Sequence, residues 1–165
     1  MASQKLSDKV AVVTGGSRGI GRAASEALAR HGASVVVNYC GTADADLDKA
    51  DAADDVVRGI QDAGGKAVAH EADIADEPAA RGLIDRAIDE YGHIDILVNN
   101  AGICPSIDFL EMPIESFDRV HAVNLRGAFI CSQQAAQHMV RQGNGGRIVT
   151  VSSISALVGG SYQTH

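Results

Sequence analysis

The stretch KVAVVTGGSRGIGRA, residues 9–23, decides the fold. Four apolar residues, Val10–Val13, run straight into a glycine-rich turn, and a helical pattern starts on its far side. An apolar run this short, bounded by turn residues, reads as a strand buried on both faces. Gly15, Gly19 and Gly21 follow TGxxxGxG spacing. Glycine adopts positive φ without a Cβ clash and lets an anion come close to the backbone. A helix starting at Gly19 would turn unpaired N–H groups and a partial positive charge toward a diphosphate. The gap Gly16-x4-Gly21 also invites a phosphate-transfer loop, but that motif continues with Lys and Ser/Thr, and here Arg22 and Ala23 follow. Nor is the spacing GxGxxG. Taken alone, the turn is compatible with a dinucleotide site and with a purely structural bend.

Outward from this turn the chain alternates short apolar runs with segments of helical period, the signature of βα units on a parallel sheet. Strands are expected at 9–14, 33–39, 66–73, 94–102 and 146–153. The first helix spans 19–32, with Ile20, Ala24, Ala27 and Leu28 on one face, and the second spans 47–65. Asp76 and Glu77, next to Pro78, open a third that runs to Tyr91. A long fourth helix covers about 114–142. Right-handed crossovers place helices on both faces of the sheet. The fold class is therefore α/β, a doubly wound parallel sheet of about five strands forming one domain over 1–165. Ligands of such sheets bind at the carboxyl ends of the strands.

Composition excludes several classes. With 165 residues, 45% hydrophobic, 18 Gly and only 3 Pro, the chain can bury a core. Its formal net charge is −7, and no two Lys or Arg are adjacent. Nucleic acid and anionic membranes are poor partners for such a surface. No run approaches the roughly 20 apolar residues of a membrane span, and the N-terminal apolar run is too short for a signal peptide. Cys40, Cys104 and Cys131 stand far apart and read as reduced packing residues, as in a cytoplasmic protein. The six histidines lack paired spacing, so no metal site is expected; His121 reads as a helix-face residue. The acidic run DADLDKADAADD, 44–55, puts Asp44, Asp46 and Asp48 at alternate positions. It carries Lys49 where a calcium loop needs Gly, and reads as a solvated loop and helix start.

Four further motifs follow the glycine turn: Asp73 after the third strand, NNAG at 99–102, VNLRG at 123–127 and VSS at 151–153. Together the five motifs resemble the short-chain dehydrogenase/reductase family over essentially the whole chain. The resemblance implies a Rossmann-like sheet ordered 3-2-1-4-5, with more strands beyond the fifth in full-length members. It implies that the turn, including Gly15, Ser17, Arg18, Gly19, Ile20 and Gly21, cradles the pyrophosphate of NAD or NADP. Asp73 would accept from the adenine amino group with Ile74 beside the ring. Asn100, Ala101 and Gly102 would pass the adenine-side ribose, while Asn99 steadies the sheet. An alcohol/carbonyl pair would be the small-molecule substrate, in a homo-oligomer packed through the 114–142 helix.

Cofactor choice turns on charge. An NAD site places Asp or Glu about 20 residues past the glycines to hold the ribose 2′-OH. Asn38 and Tyr39 occupy that place, and Arg18 can offer a bidentate guanidinium to a 2′-phosphate. NADP is expected, with NAD tolerated.

By the same resemblance, Asn124 holds a proton-relay water and Ser153 orients the substrate oxygen, with Ser152 its less favoured neighbour. The family's acid/base Tyr lies thirteen residues past that Ser, at 166, and its Lys at 170, both beyond His165. Tyr162 stands too close to Ser153 to replace it and is read as packing over the substrate pocket. The chain is thus expected to be an N-terminal part lacking its acid/base pair, inactive by itself, with the RIVTV strand left as an apolar edge. The closing SSISALVGG…QTH points toward a sugar (aldose) 1-dehydrogenase branch. A different class, a non-catalytic dinucleotide-binding module or sensor, stays open on the sequence.

Overall fold

A computed structural model of the chain describes residues 4–41 and 50–163. Five strands, β1 (Val10–Val13), β2 (Ser34–Tyr39), β3 (Lys66–Glu71), β4 (Ile96–Asn99) and β5 (Arg147–Thr150), form one parallel sheet ordered β3-β2-β1-β4-β5. The order reverses between β1 and β4, which opens a crevice above their carboxyl ends. The helices are α1 (Gly19–Arg30), α2 (Ala50–Asp62), α3 (Glu77–Tyr91), α4 (Ile114–His121) and α5 (Ala128–Gln142). Asp44, Asp46 and Asp48 of the acidic run lie outside the described residues, as do the first three residues of the expected 47–65 helix.

Two cores sandwich the sheet, as the unalternated apolar strands require. Val10, Val12, Val36 and Leu97 face α3 and α5 with Leu83, Ile84, Ile130 and Ala135. Ala11, Val13, Val35 and Val37 face α1 and α2 with Ala29, Val56 and Ile60. The central strand is completely buried. At its entry, Asp95 accepts from Val10 N and Lys9 Nζ, both at 2.9 Å, which ties β1 to β4 at the end remote from the crevice.

The expected 114–142 helix is interrupted. Residues Ala122–Gly127, AVNLRG, form a wide π turn between α4 and α5. Periodicity could not foresee it, because a single wide turn shifts the apolar stripe by only one residue. The third helix starts as read: Asp76 caps it by accepting from Ala79 N at 3.0 Å, with Pro78 in its first turn. His121 ends α4, its ring against Phe117.

Strand β5 is exposed along its whole length, with Ile148 at 41% and Val149 at 50%. No strand pairs with its outer edge among the described residues. No helix of the described residues is long and apolar enough to cross a membrane.

Candidate dinucleotide site

The segments that follow β1, β2, β3 and β4 at the carboxyl edge converge on one cleft of about 520 Å³. The β1–α1 turn forms its floor. Gly15 has φ +60° and Gly19 φ +51°, conformations that any side chain would strain. A Cβ on Gly21 would stand 2.0 Å from Gly15 O, so the helix start and the turn touch as backbone on backbone. A Cβ on Gly19, which lines the cleft, would meet nothing within 4 Å.

Helix α1 begins without a cap. Arg18 occupies the N-cap position in an extended conformation and gives no side-chain bond to the first turn, which holds no acidic residue. The first intrahelical bond is from Arg22 N to Arg18 O, so the N–H groups of Gly19, Ile20 and Gly21 precede it. An uncapped helix tip with a partial positive charge, lining a cleft, suits a diphosphate.

The turn is braced from both sides. Thr14 Oγ1 accepts from Asn100 N at 2.9 Å and Ala101 N at 3.0 Å. Asn100 Nδ2 donates to Thr14 O and Gly15 O, each at 3.0 Å. On the other flank Asn38 Oδ1 accepts from Gly15 N at 3.1 Å, and Asn38 Nδ2 donates to Ala72 O at 3.0 Å. Asn38 is only 2% exposed. It lines the cleft, and its amide joins β1, β2 and β3 through the bonds to Gly15 and Ala72. Ser17 is also buried, at 2%, and is not among the cleft-lining residues. Tyr39 Oη donates to Glu71 Oε2 at 3.4 Å, while Cys40, which sequence reasoning left out, lines the cleft next to it. Arg18 is exposed on the same wall, and among the described residues no ion pair engages it.

Asp73 and Ile74 line the cleft together with Val123 and Arg119. Asp73 Oδ1 accepts from Ala75 N at 2.9 Å, and Oδ2 pairs with Arg119 Nη1 at 2.9 Å. Arg119 carried no motif signal, because only the docking of α4 over the β3–α3 loop brings it here. Asn99, 4% exposed, donates from Nδ2 to Ser132 Oγ at 2.8 Å and so ties β4 to α5.

Asn124 lies in the π turn. Its Oδ1 accepts from Ile103 N at 2.9 Å and its Nδ2 donates to Ile103 O at 2.8 Å, which seats the helix against the loop after Gly102. Asn124 itself is exposed and is not part of the cleft lining, to which the π turn contributes Val123; π turns recur at functional sites. Ser153 sits beyond β5, exposed, where its hydroxyl accepts from Ser155 N at 3.2 Å and caps a short 3₁₀ turn. It is not part of the cleft lining. Tyr162 is 55% exposed with φ +61°, and its carbonyl accepts from Ile107 N at 3.4 Å; the expected packing over a pocket is not what the structure shows. Among the described residues no group of His, Cys, Asp or Glu gathers to hold a metal ion.

A family profile described as short chain dehydrogenase matches residues 9–165. The chain belongs to the short-chain dehydrogenase family. Within it, the chain is 49% identical over 97% of its length to an L-rhamnose 1-dehydrogenase (NAD(P)(+)) of Sphingomonas sp.. It is 46% identical, again over 97%, to one of Azotobacter vinelandii. A short-chain dehydrogenase of Burkholderia cenocepacia crystallised in complex with NADP superimposes with a TM-score of 0.85 at 38% identity. That match covers 96% of this chain and 61% of the other. The chain spans about 60% of the length of these curated relatives.

Proposed function

We propose that this chain is the dinucleotide-binding portion of an NAD(P)-dependent oxidoreductase that interconverts an alcohol and a carbonyl, with a sugar hydroxyl as substrate. The observation that carries the reading is the uncapped tip of α1. It stands behind a turn in which Gly15 and Gly19 take positive φ and Gly21 leaves no room for a Cβ, at the floor of a cleft with a guanidinium on its wall. The residues present fit NADP: N–H groups for the pyrophosphate, Arg18 for a 2′-phosphate, and Asp73 with Ile74 for the adenine. Among the described residues, Asn38 and Cys40, which line the cleft at the end of β2, carry no carboxylate, and the Asn38 amide bonds inward to Gly15 and Ala72. The names of the Sphingomonas and Azotobacter relatives support both dual cofactor use and a sugar substrate.

When bound, the nicotinamide supplies hydride chemistry. The chain's own share is placement. Thr14 and Asn100 set the turn, Asn38 locks it to β2 and β3, and Asn124 fixes the loop at Ile103. Ser153 is assigned to the substrate oxygen, and proton transfer to the acid/base Tyr and Lys of the remaining relatives' length. Losing such a pair typically costs about 10²–10⁴ in rate, so residues 1–165 alone are assigned binding without turnover.

Titration of the whole gene product with NADPH, followed by nicotinamide fluorescence, tests the first step. The second test adds L-rhamnose and other aldoses with NADP or NAD and reads reduced nicotinamide. Saturable binding with aldose-dependent reduction is expected; absence of NADPH binding refutes the reading.

A further inference from the structure

We propose that Arg119 is a positioning residue that aims the Asp73 carboxylate, so that the cleft selects a 6-aminopurine over a 6-oxopurine dinucleotide. This rests on the dinucleotide reading above and extends it to a residue outside every recognised motif.

The loop after β3 is gripped at three points by the α4–π–α5 segment. Gly127 packs against Ile74 so closely that a Cβ would come within 2.8 Å of Ile74 O. Arg126 donates to Ala75 O at 2.9 Å and pairs with Glu77 Oε2 at 3.2 Å. Those contacts hold the loop's backbone. The direction of the Asp73 side chain depends on something else: Ala75 N at one oxygen and Arg119 Nη1 at the other, each at 2.9 Å. The backbone grip and the aim of the acid are therefore separable.

An ion pair as exposed as this one, with side chains 42% and 28% accessible, adds little to stability. Its geometry has a consequence for recognition instead. With one Nη on Asp73 Oδ2, the carboxylate plane is fixed while its remaining lone pairs stay available to an N–H donor entering the cleft. The guanidinium lines the same cleft beside Ile74 and Val123, where its flat face can lie along a purine ring. An ionised carboxylate only accepts hydrogen bonds. It welcomes a 6-amino group and repels a 6-oxo group, provided that it is held in place. Without Arg119 the carboxylate can swing away from the ring, and the choice between the two bases fades.

The whole gene product is titrated with NADPH and with its hypoxanthine analogue, and the ratio of dissociation constants is read. Wild type should favour the adenine form about tenfold or more, as expected for a charge-assisted hydrogen bond. Arg119→Met should bring the ratio within about twofold of unity, leaving the NADPH-to-NADH ratio unchanged, because Arg18 reads the 2′-phosphate. Arg119→Lys, which keeps the charge, should retain part of the discrimination and serves if the Met variant folds poorly. Arg126→Met should weaken both analogues together. A wild-type protein that binds NADPH without preferring adenine overturns the proposal and leaves the function standing, as does an Arg119→Met variant with the full ratio. A wild type that binds no NADPH removes the function itself.

Discussion

Replacing Gly21 with Ala is the most severe small change the structure offers. The new methyl would lie 2.0 Å from Gly15 O and 2.6 Å from Asn100 Nδ2, both far inside van der Waals contact. Neither neighbour can step aside: Gly15 O belongs to the turn, and Asn100 Nδ2 holds that turn through two bonds of 3.0 Å. Roughly 1 Å of opening between turn and helix is needed. Overpacking of this kind costs about 1–3 kcal/mol, and the strained Asn100 bonds add about 1 kcal/mol. The total, about 2–4 kcal/mol, divides between folding and binding, because a free protein that relaxes by opening must re-close around the diphosphate. Denaturant unfolding measures one share and NADPH titration the other. If binding carries it all, affinity falls about thirty- to several-hundred-fold. Gly19→Ala is the informative partner: its methyl meets no protein atom, at a cleft-lining position with φ +51°. It should cost about 1–2 kcal/mol of stability for the left-handed backbone and still abolish tight binding. If Gly21→Ala stays within about twofold of wild type in affinity and about 0.5 kcal/mol in stability, backbone contact between turn and helix is not what shapes the site.

Arg18→Ala should raise the NADPH dissociation constant about tenfold or more, the worth of a charge-assisted bond, while NADH binding barely changes; fluorescence titration of both decides it. Gly59 and Gly82 lie in α2 and α3 with open space where a Cβ would go. Substituting Ala at either should stabilise by about 0.8–1 kcal/mol in denaturant unfolding, without the penalty at Gly21. Burial pushes the Cys131 thiol up to about 12. Burial, with Glu90 nearby, does the same for the Tyr91 phenol against an opposing Arg86. Groups whose folded pKa is raised stabilise fully below their ordinary values of 9.0 and 10.0 and lose that contribution as pH climbs toward about 12. Stability should therefore fall across that window, and Cys131→Ala should flatten part of the slope. At the other end, burial and the Arg86 guanidinium hold His70 below 6.5, so its contribution disappears as pH drops beneath that value. Asp95→Ala should cost about 2–3 kcal/mol in unfolding, since Val10 N would lose its buried partner and Lys9 its counter-charge.

The elements and the site were not equally legible. Val10–Val13 and Val35–Val37 announced buried parallel strands because both sheet faces are covered, leaving no alternation to blur the pattern. Glycine spacing located the turn because only backbone, without side chains, can pack as Gly15 and Gly21 do. The break at 122–127 was hidden, since an inserted wide turn leaves the apolar stripe nearly in register. The inward bonds of Asn38 were hidden for a related reason: the direction of its side chain depends on which strand neighbours lie beside it. Ser153 was placed by motif alone, and the structure leaves it exposed and apart from the cleft.

Local chemistry written along the chain determined the alternation of strand and helix, the backbone freedom at the turn and the lack of a carboxylate at positions 38 and 39. These depend on residues next to one another, so no folding is needed to read them. Tertiary structure alone decided that Asn38 is spent inside, that Arg119 meets Asp73 across 46 positions of sequence, and that one π turn holds loops from β3 and β4 together. Those outcomes come from helices docking on a sheet, where contacts are chosen by packing between segments and not by distance along the chain.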